Sequence, residues 1–257
     1  MLDLRPNRIF VLQCAAIALF ALAHLAGLLA LADAGPVAEK FFHQYLDLNS
    51  EGTPAAYYSA LGFLATALVA GHLARHERAR RAQRFWMVAA LLLAFFSVDE
   101  AASIHEGFQV IGRLFLPQKG IFYFAWWAPY LAVLTPVVVA LAPGLLGLPR
   151  RTRNMLILAA TLFLTGALGL ELLESRVVDA AVTAAAGGGE HARPTHTFAL
   201  LAMVEECLEM LAVALTLRAL LRHAAETAPD ARIHVSGLGG RRSTASTPGL
   251  ERTRATP

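Results

Sequence analysis

Ten residues of this chain combine side chains suited to metal ligation or proton transfer with surroundings in which charge is costly. Asp99, Glu100, His105 and Glu106 close an apolar run that begins at Phe85. Glu171 and Glu174 lie in a second such run, Glu205, Glu206 and Glu209 in a third, and His24 stands alone in the first. An ionised group within a membrane-length run is normally paired, hydrated or functional, because leaving it bare costs several kcal/mol.

The spacing makes convergence plausible on physical grounds, since helical residues three or four apart share a face. Glu171 with Glu174 and Glu206 with Glu209 are i, i+3 pairs, Glu205 with Glu209 is i, i+4, and Asp99, Ser103 and Glu106 continue one face. His24 follows Arg8 by 16 residues, Glu100 follows Arg84 by 16, Glu171 follows Arg153 by 18, and Glu206 precedes Arg222 by 16. At about 1.5 Å per residue, all four lie roughly 24 to 27 Å from the basic boundary, in one layer. Carboxylates meeting there repel one another, so they either hold protons or surround a cation.

Oxygen-rich ligand sets favour hard divalent cations, and the set His24, Asp99, Glu100, His105, Glu106, Glu171, Glu174, Glu205, Glu206 and Glu209 is expected to take Ca²⁺, Mg²⁺, Mn²⁺ or Fe²⁺ in preference to Zn²⁺. A zinc site needs more nitrogen or sulfur. His24, His105 and His191 or His196 could contribute nitrogen, but no His-x-x-x-His spacing links them. The Glu-x-x-His pairs of di-iron bundles are also missing, because Glu171 and Glu206 are followed at i+3 by Glu. The sequence contains no Gly-rich phosphate loop, G-x-S-x-G, C-x-x-C or His-Glu-x-x-His motif.

The elements that must position these residues are membrane spans. Hydrophobic residues make up 56% of the chain and charged residues 16%, and mean hydropathy is +0.52, the composition of a polytopic membrane protein. The expected fold is all-α, a bundle of six transmembrane helices at about 9–32, 55–74, 85–106, 121–148, 155–179 and 195–221, with a disordered cytoplasmic tail over 224–257. The first run ends in Ala32-Asp33-Ala34, a pattern that signal peptidase could cut, but its length favours a retained anchor. The segment after Glu106, as far as Pro117, is too short and mixed to cross and reads as an interfacial helix or loop. Tyr123, Trp126, Trp127 and Tyr130 read as an interfacial aromatic belt. Asp47, Asn49 and Glu51 read as a solvated turn placed where it could cap the acidic layer.

With six spans, 17 of the 22 lysines and arginines fall on the side of the termini and five (Lys40, Arg113, Lys119, Arg176, Arg193) on the other. This places both termini in the cytoplasm, with an inner membrane of bacterial type as the expected location and the acidic layer facing outward. The basic clusters therefore act as topology determinants, and nucleic acid is not an expected partner. Cys14 and Cys207 lie within apolar runs and read as small buried side chains.

The expected function is a metal-dependent membrane enzyme acting on a lipid-like substrate, with Glu100, Glu171 or Glu206 as general base. A proton or divalent-cation transporter is the alternative from a second class, and a non-catalytic assembly or sensor subunit the third. The inner halves of the spans offer few polar steps beyond Thr161, Thr165 and Thr216, which favours a one-sided site over a crossing pathway.

Overall fold

A computed structural model describes residues 6–31, 35–186 and 196–227, and every regular element among them is helical. In chain order these are α1 (Pro6–Ala30), α2 (Pro36–Tyr45), α3 (Pro54–His76), α4 (Arg80–Ala102), α5 (Ile104–Phe115), α6 (Trp127–Leu146), α7 (Arg150–Leu164), α8 (Glu171–Ala186) and α9 (His196–Thr227). A π-helical segment, Thr165–Leu170, joins α7 to α8 without a break. The Ala32-Asp33-Ala34 pattern, residues 187–195 with His191, and the tail beyond Thr227 lie outside the described residues.

Five stretches are long and apolar enough to cross a membrane: Pro6–Ala30, Pro54–His76, Arg80–Ala102, Trp127–Leu146 and Arg150–Ala185. The sixth expected span corresponds to α9, which is long enough at 32 residues but carries Glu205, Glu206 and Glu209 within its N-terminal half. The packing accounts for that polarity. α9 is the central helix, touching α1, α3, α7, α8 and the π segment, so its carboxylates are enclosed by other helices. α1, α4 and α6 instead turn Leu12, Leu19, Leu22, Leu91, Val98, Val133, Val138 and Val139 outward. Their exposed apolar faces suit a lipid surround.

Small residues set the closest approaches, as in membrane bundles where lipid gives helices no hydrophobic reason to associate. α3 buries Ala60, Ala67, Ala70 and Ala74. At the basic end, Leu73, Trp86, Leu217, Leu220 and Leu221 form a dry core between α3, α4 and α9. His223 stacks on Trp86 there and lies 3.4 Å from the Thr152 hydroxyl.

Several boundaries differ from the sequence expectation: α8 runs on to Ala186 and α9 to Thr227, so residues 224–227 of the expected disordered tail are helical, and other differences shape the acidic end. The third span, expected over 85–106, stops at Ala102, so His105 and Glu106 belong to α5. Ser103 breaks the helix in the left-handed region (φ 50°), and the Asp99 carboxylate accepts the His105 amide at 2.7 Å, capping the new helix. α5 is a separate 12-residue helix packed on α6, with Val110, Leu114 and Phe115 exposed. Within the connection 33–54 the chain forms α2, started by Pro36 at its first turn. The fourth span begins at Trp127, later than the expected 121, after a 3₁₀ turn over Gly120–Phe122.

Candidate functional site

The π segment and α9 together build the acidic site. A π turn carries an extra residue, which redirects the side chains that follow it. Here it brings Glu171 and Glu174, at the start of α8, against Glu205 of α9, and one ligand oxygen from each lies within 4.8 Å of the other two. Gly166 permits the approach: a side chain there would come within 3.1 Å of the Glu205 carbonyl and the Glu209 Cγ. Glu174 is 2% exposed, and its Oε1 meets no hydrogen-bond partner. The Trp126 indole N–H donates to Glu171 Oε1 at 2.9 Å, which fixes that carboxylate's orientation.

A second set of carboxylates lies beside the first. Glu206 and Glu209 share one face of α9 and are within Coulombic range of each other, of Glu100 on α4 and of Glu174. Asp99 accepts a hydrogen bond from the Tyr130 hydroxyl at 2.5 Å and lies 3.4 Å from His105 Nδ1. His105 packs against Trp126 with ring centroids 4.9 Å apart. Glu106 is exposed on α5 and Glu51 on the loop before α3, and both belong to the same electrostatic neighbourhood. Among the described residues, no lysine or arginine forms an ion pair with any of these carboxylates. Arg113 and Arg176 are exposed and pair with none of them among the described residues.

Two groups outside the spans have displaced titrations. Burial alone would lower the His105 imidazole, but its hydrogen bond to Asp99 and the charges of Asp99, Glu51 and Glu100 outweigh burial and hold it above its usual value. Partial removal from water raises the Glu51 carboxyl, and the Ser103 hydroxyl and His105 offset this only in part.

Nine of the ten residues singled out by type and spacing thus gather at one end of the bundle, and His24 does not join them. It is fully buried, with Nδ1 accepting the Leu48 amide at 3.1 Å and Nε2 directed at the Ala199 carbonyl at 3.2 Å. With both nitrogens occupied, it offers no lone pair to a cation, and it meets α9 six residues before Glu205, about 9 Å along the helix. Its task is to tie α1, α9 and the 46–51 loop together. Asp47 continues that tie, accepting from the Asn49 amide, the Ser50 hydroxyl and His43 Nδ1. His196 is exposed at the start of α9. Of the zinc alternatives named from sequence, only His105 reaches the acidic end among the described residues.

Sequence reasoning gave Trp126 and Tyr130 an interfacial role and overlooked Gly166 and Ser59, the α3 hydroxyl beside Glu100. The available signal was the i, i+4 spacing of Trp126 and Tyr130 beside an acidic layer of equal depth.

On the α1 side of α9, at the level of Glu205 to Glu209, Cys14, Ile17, Ala18, Met203, Cys207 and Leu208 help line an open apolar groove of about 430 Å³. Both cysteines are free thiols. No curated protein and no solved structure matches the chain. The family model described as "Domain of unknown function (DUF8692)" matches residues 13–224, a range that takes in every acidic residue of the site, and the chain belongs to that family.

Proposed function

We propose that this protein is a six-helix integral membrane protein of a bacterial-type inner membrane, with both termini cytoplasmic, that binds a hard divalent cation between Glu171, Glu174 and Glu205. The observation that carries the reading is the enclosed carboxylate triad, with one Glu174 oxygen lacking any partner and no lysine or arginine paired with it among the described residues. An oxygen-only set of this kind suits Ca²⁺, Mg²⁺, Mn²⁺ or Fe²⁺ better than Zn²⁺.

The activity best supported is metal-dependent chemistry on a lipid-like substrate at the outer face. A bound cation would polarise a carbonyl or phosphoryl oxygen or lower the pKa of a bound water. Of the three carboxylates named from sequence as general bases, Glu171 is committed to the triad and to Trp126, which leaves Glu100 and Glu206 on the half-buried side. His105 adds a proton carrier: Asp99 holds Nδ1, leaving Nε2 for exchange at the mouth of the site. The open apolar groove between α1 and α9 lies at the same level along α9 as the acids and suits a hydrocarbon tail. The dry core of Leu73, Trp86, Leu217 and Leu220 closes the basic end, which favours a one-sided enzyme over a crossing path.

The test is elemental analysis of protein purified in mild detergent, comparing wild type with Glu171→Gln and Glu205→Gln. A stoichiometric metal lost from both variants supports the site, and its element separates redox from hydrolytic chemistry. No metal even after exposure to Ca²⁺, Mg²⁺, Mn²⁺ and Fe²⁺ overturns it and leaves the carboxylates as proton carriers. Cation flux in proteoliposomes that Glu171→Gln abolishes replaces the enzyme reading with a transporter.

A further inference from the structure

α6 and α7 are consecutive helices joined by the short turn 147–149, yet they meet at few points. α6 packs on α4 and α5, whereas α7 packs on α9 and the π segment. Tyr130 is the one residue of α6 that is buried. At its basic end α6 is held by Gly144, where a Cβ would run into the Phe85 ring of α4. α7 reaches α4 separately and deeper in the bundle, through Phe163 against Phe96 with ring centroids 5.8 Å apart. Both helices thus stand against α4, and the seam between them is left unfilled by the described residues.

Arg153 identifies the face of α7 that lines this seam, because its guanidinium donates to the Leu146 carbonyl at 3.2 Å and so turns toward the end of α6. Residues three, four and seven apart share a helix face, so Arg150 lies on the same stripe at the basic end, with Ile157 and Leu164 farther in. Ile157 is 42% exposed and Leu164 50%, which a packed α6 would not allow. On α4, Arg81 lies one turn nearer the basic end than Phe85 and on the same face, which puts it beside the 147–149 turn. Three guanidiniums therefore gather at the basic mouth of an apolar seam. None of them pairs with a carboxylate among the described residues, where Arg151 with Glu226 is the one arginine ion pair. Arg153 uses one of its N–H donors on Leu146 and keeps the rest of its fork open.

We propose that the seam between α6 and α7 binds one phospholipid with an anionic headgroup, its phosphate against Arg81, Arg150 and Arg153 and an acyl chain along Ile157 and Leu164. The charge at the mouth decides the occupant. Guanidiniums match phosphate oxygens in charge and in fork geometry, and arginines at the end of a span attract anionic lipid. A second copy of this chain in the same membrane would carry its own three arginines at the same depth, setting like charges together. The hydrocarbon of the lipid supplies the apolar filling that the helices leave out. This lipid lies at the end opposite the acidic site, so it is a bound partner and not the substrate proposed there.

The experiment is native mass spectrometry of the full chain released from mild detergent, after exposure to phosphatidylglycerol or to phosphatidylethanolamine with the same acyl chains. Wild type is expected to hold one phosphatidylglycerol and to retain it severalfold better than phosphatidylethanolamine. The double variant Arg81→Gln, Arg150→Gln is expected to lose that preference, and Arg81→Lys, Arg150→Lys to keep most of it. If the double glutamine variant does not fold, the single variants Arg81→Gln and Arg150→Gln carry the same test, each with a smaller loss. Arg8→Gln, Arg222→Gln removes two charges of the same end from α1 and α9 and is expected to bind as wild type does. Equal retention of the two lipids by wild type overturns the proposal. An equal loss in the α1 and α9 control assigns the preference to diffuse charge and overturns the seam as its source. Displacement of the lipid by an equal concentration of glycerol phosphate, which has the headgroup charge without acyl chains, overturns the part given to Ile157 and Leu164. A dimer that forms through this face and excludes lipid replaces the lipid with a second copy.

Discussion

Neutralising Glu174 should make the cation-free protein more stable and at the same time remove its response to cations. The triad oxygens lie within 4.8 Å of one another, so at an effective dielectric of about 20 each ionised pair repels by ~3.5 kcal/mol or more. Glu174 takes part in two such pairs, a repulsion of about 7 kcal/mol if all three are ionised, comparable with the roughly 5 to 15 kcal/mol that separates a folded domain from its unfolded chain. Three bare carboxylates are therefore untenable, and a cation or protons must offset them. A cation at a hundred times its dissociation constant stabilises by about 2.7 kcal/mol, a rise of roughly 5 to 10 °C in melting temperature for a chain of this length. The assay is thermal unfolding in detergent, followed by tryptophan fluorescence in chelator and in Ca²⁺, Mg²⁺, Mn²⁺ or Fe²⁺. In chelator, Glu174→Gln should melt above wild type, and added cation should not shift it. If Glu174→Gln keeps the full cation-dependent rise, or melts lower than wild type in chelator, the electrostatic reasoning is wrong.

Other perturbations test the parts that hold the site. Since the His105 imidazole is held above its usual value of 6.5, its contribution to stability is complete below that value and is lost as pH rises through the folded-state value. Unfolding followed from about pH 6 to about 9 should show that loss in wild type and a flatter profile in His105→Gln, and equal slopes would contradict the Asp99 pairing. Gly112→Ala places a methyl group against the Ala125 carbonyl, parting α5 from the turn that carries Trp126, and should cost about 1 to 3 kcal/mol by denaturant unfolding. Tyr130→Phe removes the hydroxyl donated to buried Asp99 and should cost about 1 to 3 kcal/mol, with no change in stability ruling out that bond.

The sequence alone determined the helical character of the chain and a set of acids spaced alike from the basic clusters, and of the six stretches it offered as spans five stand as helices long and apolar enough to cross a membrane. All of these follow from local quantities: apolar run length, the rise of a helix, and residues repeating every three or four positions. Its limits lie where distant segments meet. His24 has the depth of the acids, but only the placement of Leu48 and Ala199 shows both its nitrogens occupied. The end of α4 at Ala102 depends on Asp99 capping a new helix, a choice between two backbone paths that the apolar run does not disclose. α9 is too polar to stand with the five apolar spans, and its role as the central helix emerges only once α1, α3, α7 and α8 surround it. Which acids form the triad was likewise decided by tertiary structure: the π turn and the bare Gly166 set Glu171 and Glu174 against Glu205, and the register of α3 against α4 set Glu100 beside Ser59 instead. Spacing fixes which residues share a helix face, whereas the partner of that face is set by how the helices pack.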